Sequence, residues 1–456
     1  MKPLILASTT QIAKSIPEPV QYALETLTVH RFKAHIVGGC VRDLLLQREP
    51  KDWDITTDAT PQEIQRVFPN TLYNNRFGTV VVRHHDMELE ITPYRSEGKY
   101  TDHRHPDAVT FGKTLKQDLA RRDFTINAMA MNKSGRLSDP FYGKDDLKKK
   151  QIRAVGDPSE RFSEDALRLL RCIRFAGQLD FHVEEKTWSA LCQHVQDIHL
   201  VSQERIRDEL LKILSSDDLF RSFYLLDQSR LLDEILSELS EGRGVAQNKH
   251  HIYTVLYHNI FSAQYCPSSD PILRLAALLH DVGKVRTKQG NGRDAIFHDH
   301  DKVGAHMARA IMTRLRFPNE DIERVEHFVR YHMFYYSVGE VSDKGVRRLL
   351  VRLGKEHLKD FFIVRIADRM GSGCQIEVPY KLKELWRHLE EVQKDPIDTR
   401  MLKIHGNDVM ELLGIPPGPE VGRILNALLE EVLDDPQRNT REYLLERTRE
   451  LYQGVA

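Results

Sequence analysis

Residues 34–60 constrain the fold of this chain more than any other stretch. They begin with a short apolar run that predicts a buried strand, and continue through Gly38 and Gly39 into a sequence typical of a helix start. A glycine pair between a strand and a helix lets backbone N–H groups approach a ligand, and a helix N-terminus favours anions. Arg42 lies in the first turn of that helix, where a guanidinium can bind phosphate oxygens. The stretch therefore predicts a phosphate-binding turn.

Two acidic residues, Asp52 and Asp54, follow this turn. If the segment is a strand, both side chains point to one side, because residues two apart in a strand share a face. Neighbouring carboxylates repel each other, and a pair of Mg²⁺ ions removes that penalty and serves in-line nucleotidyl transfer. Alone, a Gly-Gly is usually a turn and an Asp-x-Asp is usually an exposed strand end. Together, and in this order, they predict a Mg²⁺ site beside the turn.

The combined pattern GGxVRDxLL…DxDxxT resembles the head of the nucleotidyltransferase superfamily that holds tRNA CCA-adding enzymes and bacterial poly(A) polymerases. The resemblance implies a small mixed α/β head in which Asp52 and Asp54 hold Mg²⁺, while the glycine pair and Arg42 bind the nucleotide. In this family an acidic residue in a run like Glu-Ile-Thr completes the metal site. Glu90 stands in such a run, with Glu88 on the same face. The predicted catalytic residues are therefore Asp52, Asp54 and Glu90.

A second motif lies at 118–131, DLARRDFTINAMAM. An Arg-Arg-Asp run is often only a solvated salt-bridge cluster. Followed by TINAMAM, it resembles the family motif in which an arginine reaches the triphosphate. The resemblance gives that role to Arg122, with Arg121 next, and makes Asn127 a supporting hydrogen-bond partner. The polar segment 96–110 resembles the flexible loop that helps CCA-adding enzymes change from CTP to ATP, and its full length disfavours an enzyme that adds only CC.

The segment 163–179, SEDALRLLRCIRFAGQL, predicts one helix with Ser163 as its N-cap. The plain interpretation is an amphipathic helix with an arginine stripe. The chemistry offers a sharper one, because cytosine and adenine share an edge with an amino donor beside a ring-nitrogen acceptor, whereas guanine and uracil present carbonyl and N–H there. Asp165 and Arg168 would lie one helical turn apart. Asp165 could accept a hydrogen bond from the amino group, and Arg168 could donate one to the ring nitrogen. The pair would therefore bind C and A and reject G and U.

The resembling family selects the base with the motif Glu-Asp-x-x-Arg, and residues 164–168 match that motif. The resemblance then implies that Arg171 and Arg174 help to hold the nucleotide and its phosphates. With the two head motifs, it covers about residues 30–240 of the chain.

A second set of metal-ligating residue types lies further along the chain. The run ALLHDVGK places His280 next to Asp281 at the end of an apolar helix, with His258 upstream and Asp368 downstream. This order resembles the HD phosphohydrolase superfamily, whose helical domain binds a divalent metal with these residues. Any one histidine is usually structural, but the set of four predicts a metal site, and imidazole with carboxylate suits a borderline or hard ion. Three more histidines are candidate ligands or substrate-binding groups: His298, His300 and His332.

Composition limits the partners and the compartment. The chain has 66 basic and 67 acidic residues, so a nucleic acid must be bound by local basic surface and not by bulk charge. Its 5 cysteines are odd in number and none forms a CxxC pair, which suits a reducing cytoplasm. No apolar run is long enough to span a membrane, so we expect a cytoplasmic protein. Nothing in the sequence indicates an obligate protein partner.

We expect an α+β chain in which a small mixed α/β head precedes a mostly helical neck, body, HD domain and tail. The predicted parts are a nucleotidyltransferase head at 1–155, a neck and body with the nucleotide-selecting helix at 156–245, an HD metal-binding domain at 246–375 and a tRNA-binding tail at 376–456.

The resemblance implies CCA addition to tRNA 3′ ends from CTP and ATP, with Mg²⁺ in the head and release of pyrophosphate. A poly(A) polymerase or an A-only enzyme would share the head and neck motifs. A strongly basic C-terminal extension would favour the polymerase, and the sequence shows none. An HD phosphohydrolase with an RNA-binding head is a hypothesis from another class, and the intact head motifs disfavour it. The HD region is expected to bind a divalent metal whose identity the sequence leaves open.

Overall fold

The computed structural model describes residues 6–74, 78–85, 87–97, 109–111, 114–247, 252–290, 294–334, 336–337, 339–373 and 379–453. Of the segment expected to form a flexible loop, 96–110, residues 98–108 lie outside the described residues. The chain divides into two compact units: the first is Met1–Ser240 with Ile311–Phe317, and the second is Glu241–Ala310 with Pro318–Ala456. Within the described part of the chain, no helix combines the length and apolar character that a membrane span requires.

The first unit contains a mixed sheet of seven strands. The described strands are β1 (Ala34–Val37), β2 (Asp54–Thr57), β3 (Thr71–Asn74), β4 (Thr79–His84), β5 (Met87–Pro93), β6 (Arg95–Glu97), β7 (Val109–Phe111), β8 (Ala130–Met131), β9 (Leu137–Ser138), β10 (Gln151–Ile152) and β11 (His182–Val183). The order in the seven-stranded sheet is β3-β4-β5-β2-β1-β8-β9. Central strand β2 runs antiparallel to β1 and parallel to β5, with Asp54 opposite Glu90. This register places one acidic residue from each of two neighbouring strands side by side.

Helices precede, connect and follow the strands of the first unit. They are α1 (Thr9–Lys14), α2 (Glu18–Val29), α3 (Gly39–Leu45), α4 (Pro61–Val67), α5 (Leu115–Ala120), α6 (Gly143–Lys149), α7 (Pro158–Glu164), α8 (Leu167–Leu179), α9 (Glu185–Gln193), α10 (Gln203–Leu214), α11 (Leu219–Gln228), α12 (Leu231–Ile235) and α13 (Ser237–Ser240). Thr60 caps α4. The Thr60 side chain accepts from the Glu63 backbone at 3.3 Å, and the Glu63 carboxylate accepts from the Thr60 backbone at 2.7 Å.

The predicted single helix at 163–179 is wrong, because the chain forms two helices there. Pro158 starts α7 five residues earlier, so Ser163 lies inside a helix and is not a cap. Asp165 then leaves the helical conformation (φ −150°, ψ 100°), and α8 begins at Leu167. The Asp165 carboxylate accepts from the Leu167 backbone N–H at 3.2 Å. Short acidic side chains compete in this way with the helical hydrogen bonds of the backbone.

The later part of the chain is helical. Its helices are α14 (Val255–Gln264), α15 (Pro271–Leu279), α16 (Lys284–Thr287), α17 (His300–Arg314), α18 (Asn319–Tyr331), α19 (Asp343–Leu353), α20 (Leu358–Gly371), α21 (Tyr380–Val392), α22 (Gly406–Leu413), α23 (Pro419–Asp434) and α24 (Arg441–Gln453). Helices α22–α24 share a buried apolar core that includes Val409, Ile424, Leu428 and Leu444. The α+β prediction, a small mixed head followed by helical parts, is confirmed.

Candidate active site and candidate metal centre

Three carboxylates line one cavity of about 1010 Å³ in the first unit, those of Asp52, Asp54 and Glu90. Asp54 begins β2, and Glu90 lies opposite it on β5. Asp52 lies two residues ahead of the strand, so the strand starts later than the sequence predicted. Glu88 lines the same cavity, but its carboxylate accepts from Nε of Arg83 at 2.7 Å. The favoured choice of Glu90 over Glu88 is therefore consistent with their contacts.

The charges of these three carboxylates oppose one another. Burial raises the pKa of Asp54, Arg122 partly offsets this rise, and Asp52 adds to it. Burial raises the pKa of Glu90, and the charges of Asp54 and Asp52 raise it further. Carboxylate oxygens that repel one another are the donor set that a hard divalent cation such as Mg²⁺ favours. The residues present fit the ion that the family implies.

The glycine turn stands beside these carboxylates. Gly38 has a φ of 82°, a conformation that other residues rarely adopt, and Gly39 begins α3. A Cβ on Gly38 would lie 2.6 Å from Nη1 of Arg122, so this guanidinium packs directly on the turn. Arg121 donates to the buried Asp118 carboxylate at 3.0 and 2.8 Å, and Nη2 of Arg122 lies 3.8 Å from the same carboxylate. Among the described residues, Nε of Arg122 is buried without a hydrogen-bond partner. Of the two arginines, Arg122 is the better placed for the predicted triphosphate contact.

Arg42 is buried at the start of a chain of hydrogen bonds. It donates to Asp43 at 2.8 Å and to Oδ1 of Asn127 at 2.7 Å. Asn127 donates to Oδ1 of Asp123 at 3.1 Å, and Arg171 donates to Oδ2 of Asp123 at 2.8 and 2.6 Å. Burial opposes the charged form of Asp123, but Arg171 and Asn127 outweigh it and lower its pKa to about 2. The predicted nucleotide contacts of Arg42 and Arg171 stay predictions, since both side chains here join α3 and α8 to the same loop.

Asp165 is held by a residue to which sequence reasoning gave no role. Arg205, on α10, donates to the two carboxylate oxygens of Asp165 at 3.1 and 2.8 Å. With the Leu167 backbone bond, three acceptor sites of the carboxylate are in use. An ionised carboxylate has about four lone-pair sites, so one is left for an amino group.

Arg168 is also fixed by its neighbours. It donates to the Glu164 carboxylate at 2.6 Å and to the backbone carbonyls of Arg161 and Arg121 at 2.9 and 3.0 Å. A guanidinium has about five N–H groups, so two of those on Arg168 lie outside these bonds. Base selection by Asp165 and Arg168 is compatible with these contacts and stays a prediction.

Arg174, the last arginine of the stripe, lies in the core of the first unit. Its Nε donates at 2.6 Å to Glu209, a residue of α10 that is 2% exposed. A buried, paired guanidinium is better suited to joining α8 to α10 than to binding phosphates, and its predicted nucleotide role stays a prediction. The run ERIRDEL at 204–210, which contains both Arg205 and Glu209, was the available signal for these two partners.

Four buried side chains converge in the second unit, and all four were predicted together. They are His258 on α14, His280 and Asp281 at the end of α15, and Asp368 on α20. Their ligand atoms all lie within 4.8 Å of one another. Nε2 of His258 lies 3.0 Å from Oδ2 of Asp281 and 3.4 Å from Oδ1 of Asp368. Nε2 of His280 lies 3.2 and 3.5 Å from the same two oxygens.

The charges in this cluster compensate one another. Burial opposes protonation of His280, but Asp281 and Asp368 outweigh it and raise the pKa of His280 to about 10. Despite burial, the pKa values of both aspartates are held well below the usual range, with Lys284 helping at Asp281 and Arg365 at Asp368. Lys284 Nζ lies 2.5 Å from Oδ2 of Asp281, and Arg365 Nη1 lies 2.6 Å from Oδ2 of Asp368. Sequence reasoning missed both cations, although Lys284 stands in the HDVGK run.

Two of the three further histidines also lie at this cluster. Nε2 of His300 and Nε2 of His332 lie 3.3 and 3.5 Å from Oδ1 of Asp281. His298 is exposed and belongs to none of these groups. Backbone packing holds His300 in place, because a Cβ on Gly283 would lie 2.2 Å from the backbone oxygen of His300. His300 and His332 therefore adjoin the predicted ligands, and their own roles stay predictions.

A mixed sheet with paired carboxylates beside a glycine turn, followed by a helical region with a histidine–aspartate centre, defines the class of a nucleotidyltransferase that carries an HD domain. Family models match in the same order. Residues 34–153 match the Poly A polymerase head domain, 180–242 the probable RNA and SrmB-binding site of polymerase A, and 250–370 the HD domain.

Curated relatives are similar along almost the whole chain. A CCA-adding enzyme of Levilactobacillus brevis is 47% identical over 449 residues, which are 94% of this chain and 98% of that protein. A CCA-adding enzyme of Oceanobacillus iheyensis is 46% identical over 415 residues, 90% of each chain. The crystal structure of the Bacillus stearothermophilus CCA-adding enzyme in complex with CTP has a TM-score of 0.74 and 27% identity, and the match covers 96% of this chain and 100% of that one. The chain belongs to the family of CCA-adding enzymes and is a tRNA nucleotidyltransferase.

Proposed function

We propose that this chain adds CCA to tRNA 3′ ends, with CTP and ATP as substrates. The observation that carries the proposal is one cavity lined by Asp52, Asp54 and Glu90, in a chain that covers 98% of the length of a CCA-adding enzyme. The structure of the Bacillus stearothermophilus enzyme holds CTP, which supports the same substrate class here.

In the proposed reaction, the tRNA 3′-hydroxyl oxygen bonds to the α-phosphorus of the nucleotide, and the bond from that phosphorus to pyrophosphate breaks. Asp52, Asp54 and Glu90 would hold Mg²⁺, which when bound supplies charge stabilisation for in-line nucleotidyl transfer and for the pyrophosphate leaving group. The backbone N–H groups after Gly38 and the guanidinium of Arg122 bind and orient the triphosphate. The fixed positions of these groups supply the alignment that in-line attack needs.

Asp165 and Arg168 select the base in this proposal. Arg205 orients the Asp165 carboxylate and leaves one acceptor site for the amino group of cytosine or adenine. Arg168, oriented by Glu164, donates to the ring nitrogen. No nucleic-acid template is needed, because guanine and uracil present the opposite donor and acceptor pattern at this edge.

We place the reaction in the cytoplasm, where tRNA and nucleoside triphosphates occur together. The described cysteines, Cys40, Cys172, Cys192 and Cys266, are free thiols, which suits a reducing compartment.

The tail at 376–456 is proposed to help bind tRNA, and the four-part division at 155, 245 and 375 is part of the same proposal. The RNA-binding family match ends at 242, close to the second of these boundaries.

The proposal is tested with purified protein and tRNA transcripts that end at the discriminator base, at C or at CC. Each labelled nucleotide is supplied alone and then with the others. We expect two additions from CTP, one from ATP on the CC end, and none from GTP or UTP. Repeated A addition would instead identify a poly(A) polymerase, and addition of A only to the CC end would identify an A-only enzyme.

The HD cluster favours a second activity, hydrolysis of a phosphate ester at a metal held by His258, His280, Asp281 and Asp368. The motivating observation is the burial and convergence of these four ligand-type side chains. The double variant His280→Ala with Asp281→Ala is expected to lose metal and any hydrolysis of p-nitrophenyl phosphate or its diester, and to keep CCA addition. Unchanged metal content by elemental analysis would contradict this site.

A further inference from the structure

Three side chains of metal-ligating type converge at the surface of the first unit. Glu18 is the first residue of α2, and His84 ends β4, with His85 directly after it. Oε2 of Glu18 lies 3.7 Å from Nε2 of His84 and 3.9 Å from Nε2 of His85. The ligand atoms of all three residues lie within 4.8 Å of one another. One carboxylate oxygen therefore faces the outer nitrogens of two adjacent imidazoles.

We propose that Glu18, His84 and His85 bind a borderline divalent ion such as Zn²⁺, and that this ion joins α2 to the turn between β4 and β5. The three residues belong neither to the lining of the catalytic cavity nor to the HD cluster. The inference therefore does not depend on the proposed function.

The distances between the donor atoms fit a shared ion better than direct hydrogen bonds. Both nitrogen–oxygen separations exceed the range of about 2.7–3.2 Å that an N–H···O bond spans. A tetrahedral zinc ion with bonds of about 2.0–2.1 Å holds neighbouring donor atoms about 3.4 Å apart. The side chains of Glu18 and His85 are exposed, so small rotations bring the donors to that separation.

The backbone of the turn brings the two imidazoles together. In an extended strand, adjacent residues point to opposite faces, and His84 and His85 could not share an ion. The register pairs His84 with Met87, which leaves a connection of two residues, and His85 has a φ of 51°. Short turns of this kind favour glycine, asparagine or aspartate at a positive φ. Turn chemistry alone therefore does not account for a histidine at this position.

An aromatic contact orients one of the imidazoles. The ring of Tyr22 stacks on that of His84, with centroids 3.9 Å apart and planes 8° apart. Tyr22 in turn makes an edge contact with buried Phe68. Glu18 and Tyr22 are four positions apart on α2 and so share one face of the helix. The same helix face supplies one ligand and holds another, which reduces the conformational freedom lost when an ion binds.

The donor types indicate the class of ion. Two imidazoles and one carboxylate suit Zn²⁺, whereas Mg²⁺ prefers an all-oxygen shell. Three protein ligands leave a fourth tetrahedral position for water.

The position of the site gives the ion a structural role. Pro17 and Met87 both line the catalytic cavity. Pro17 directly precedes Glu18, and Met87 pairs with His84. An ion that joins α2 to the β4–β5 turn therefore links two segments of the cavity wall.

Histidine modification tests the site in the full-length chain. Diethyl pyrocarbonate modifies accessible imidazoles, and peptide mass spectrometry reports each histidine separately, so ions bound elsewhere do not enter the measurement. When Zn²⁺ is added to chelator-treated protein, we expect modification of His84 and His85 to slow severalfold. Mg²⁺ should leave both rates unchanged. His30, an exposed residue at the other end of α2, is the internal control and should keep its rate with either ion.

Two variants each remove one ligand. His85→Asn keeps a residue type that tolerates the left-handed backbone of the turn, and Glu18→Gln removes the carboxylate. Since partners of metal ligands alone change metal affinity by about 10–100-fold, loss of a ligand should weaken zinc binding at least about tenfold. The Zn²⁺ concentration that halves the modification rate of His84 measures this change. Glu25→Gln, at another exposed acid of α2, is the matched control and should keep the wild-type value.

Hydrogen exchange tests the link between the two segments. Zn²⁺ should slow exchange in peptides of α2, β4 and β5 more strongly in the wild type than in His85→Asn. Modification rates of His84 and His85 that do not respond to Zn²⁺ in the wild type would overturn the site. Protection of His84 that persists unchanged in both variants would also overturn it, because the ion would then have other ligands. Zinc binding without slower exchange would overturn the link.

Discussion

The two sites of this chain use the same acidic residue types in opposite electrostatic settings. In the head, Asp54 and Glu90 line an open cavity, and their pKa values are raised by burial and by neighbouring carboxylates. In the HD cluster, Asp281 and Asp368 are buried among protonatable and cationic groups, and their pKa values are held far below the usual range. The carboxylates of the head therefore add to one another's negative charge, whereas those of the HD cluster are compensated by neighbouring cations.

The largest expected effect is on catalysis in the head. Asp54→Ala should lower nucleotide incorporation by at least about 10⁴-fold, on the order of 5 kcal/mol, because it removes a ligand of the catalytic ion. The free energy of unfolding should stay the same or rise, because the repulsion from Asp52 is relieved. Single-turnover incorporation and urea unfolding measure the two quantities. Glu88→Ala, at a paired residue of the same cavity, is the matched control and should stay active. Full activity of Asp54→Ala would show that Asp54 holds no catalytic ion, and the proposed contrast between the head and the HD cluster would fail.

The opposite stability effect is expected in the HD cluster. Asp281→Ala should lower the free energy of unfolding by about 3–5 kcal/mol, because it leaves buried cationic partners without their carboxylate. His280 and Lys284 are those partners. Hydrogen-exchange mass spectrometry of α14, α15 and α20 in metal-free protein measures the loss locally. Asp299→Ala, which breaks an exposed pair with Lys302, should leave the free energy of unfolding nearly unchanged. A gain in stability at Asp281 would end the contrast between the two sites.

Base selection concerns Asp165, whose electrostatic setting lies between those of the head and HD carboxylates. Asp165 is paired with Arg205 but has one acceptor site left. Asp165→Ala should reduce discrimination against GTP and UTP by about 1.5–3 kcal/mol, the usual value of a charge-assisted hydrogen bond. Arg168→Ala should act similarly at the ring nitrogen. Incorporation efficiency of all four nucleotides, on tRNA ending at the discriminator base and at CC, gives the measurement. A uniform fall with unaltered selectivity would mean that these residues position the triphosphate or the helix and do not read the base.

The smallest effect concerns Asp123, a buried aspartate of the first unit whose negative charge is paired with Arg171. Its folded pKa of about 2 lies below the ordinary value of 3.8, so it contributes stability above pH 4 that is lost as the pH falls towards 2. The shift corresponds to roughly 2 kcal/mol. Urea unfolding of wild type and Asp123→Asn should differ most at neutral pH, and the difference should shrink below about pH 4. A difference independent of pH would show that Asp123 gains nothing from being charged.

Local chemistry made part of the structure predictable from the sequence. Strand β1 was predicted because a short apolar run between polar residues is a local signal. In the HD set, only the placement of adjacent His280 and Asp281 is local, and His258 and Asp368 were predicted through the resemblance of their order to the HD superfamily. The head carboxylates were predicted as a group, although Asp52 lies ahead of the strand and not in it.

The wrong and missing predictions share a different cause. The helix break at Asp165 depends on a start at Pro158, outside the segment that was read as one helix. Arg205 and Glu209 of α10 pair with Asp165 and with Arg174 of α8, which lie 40 and 35 positions earlier, and no local pattern reports such contacts. Periodicity along one helix cannot show which charged face meets a partner. The arginine stripe was therefore visible, and its ion-pair partners were not.

The close packing at Gly283 has a consequence for how this chain tolerates change. Position 283 supplies no donor atom to a metal, yet any side chain there must displace the backbone at His300 and Gly304. In a saturation scan scored by bound metal, we expect position 283 to be as intolerant as the ligands themselves. Gly283 would then be as important for the HD centre as its ligands, although it has no side chain that could bind a metal.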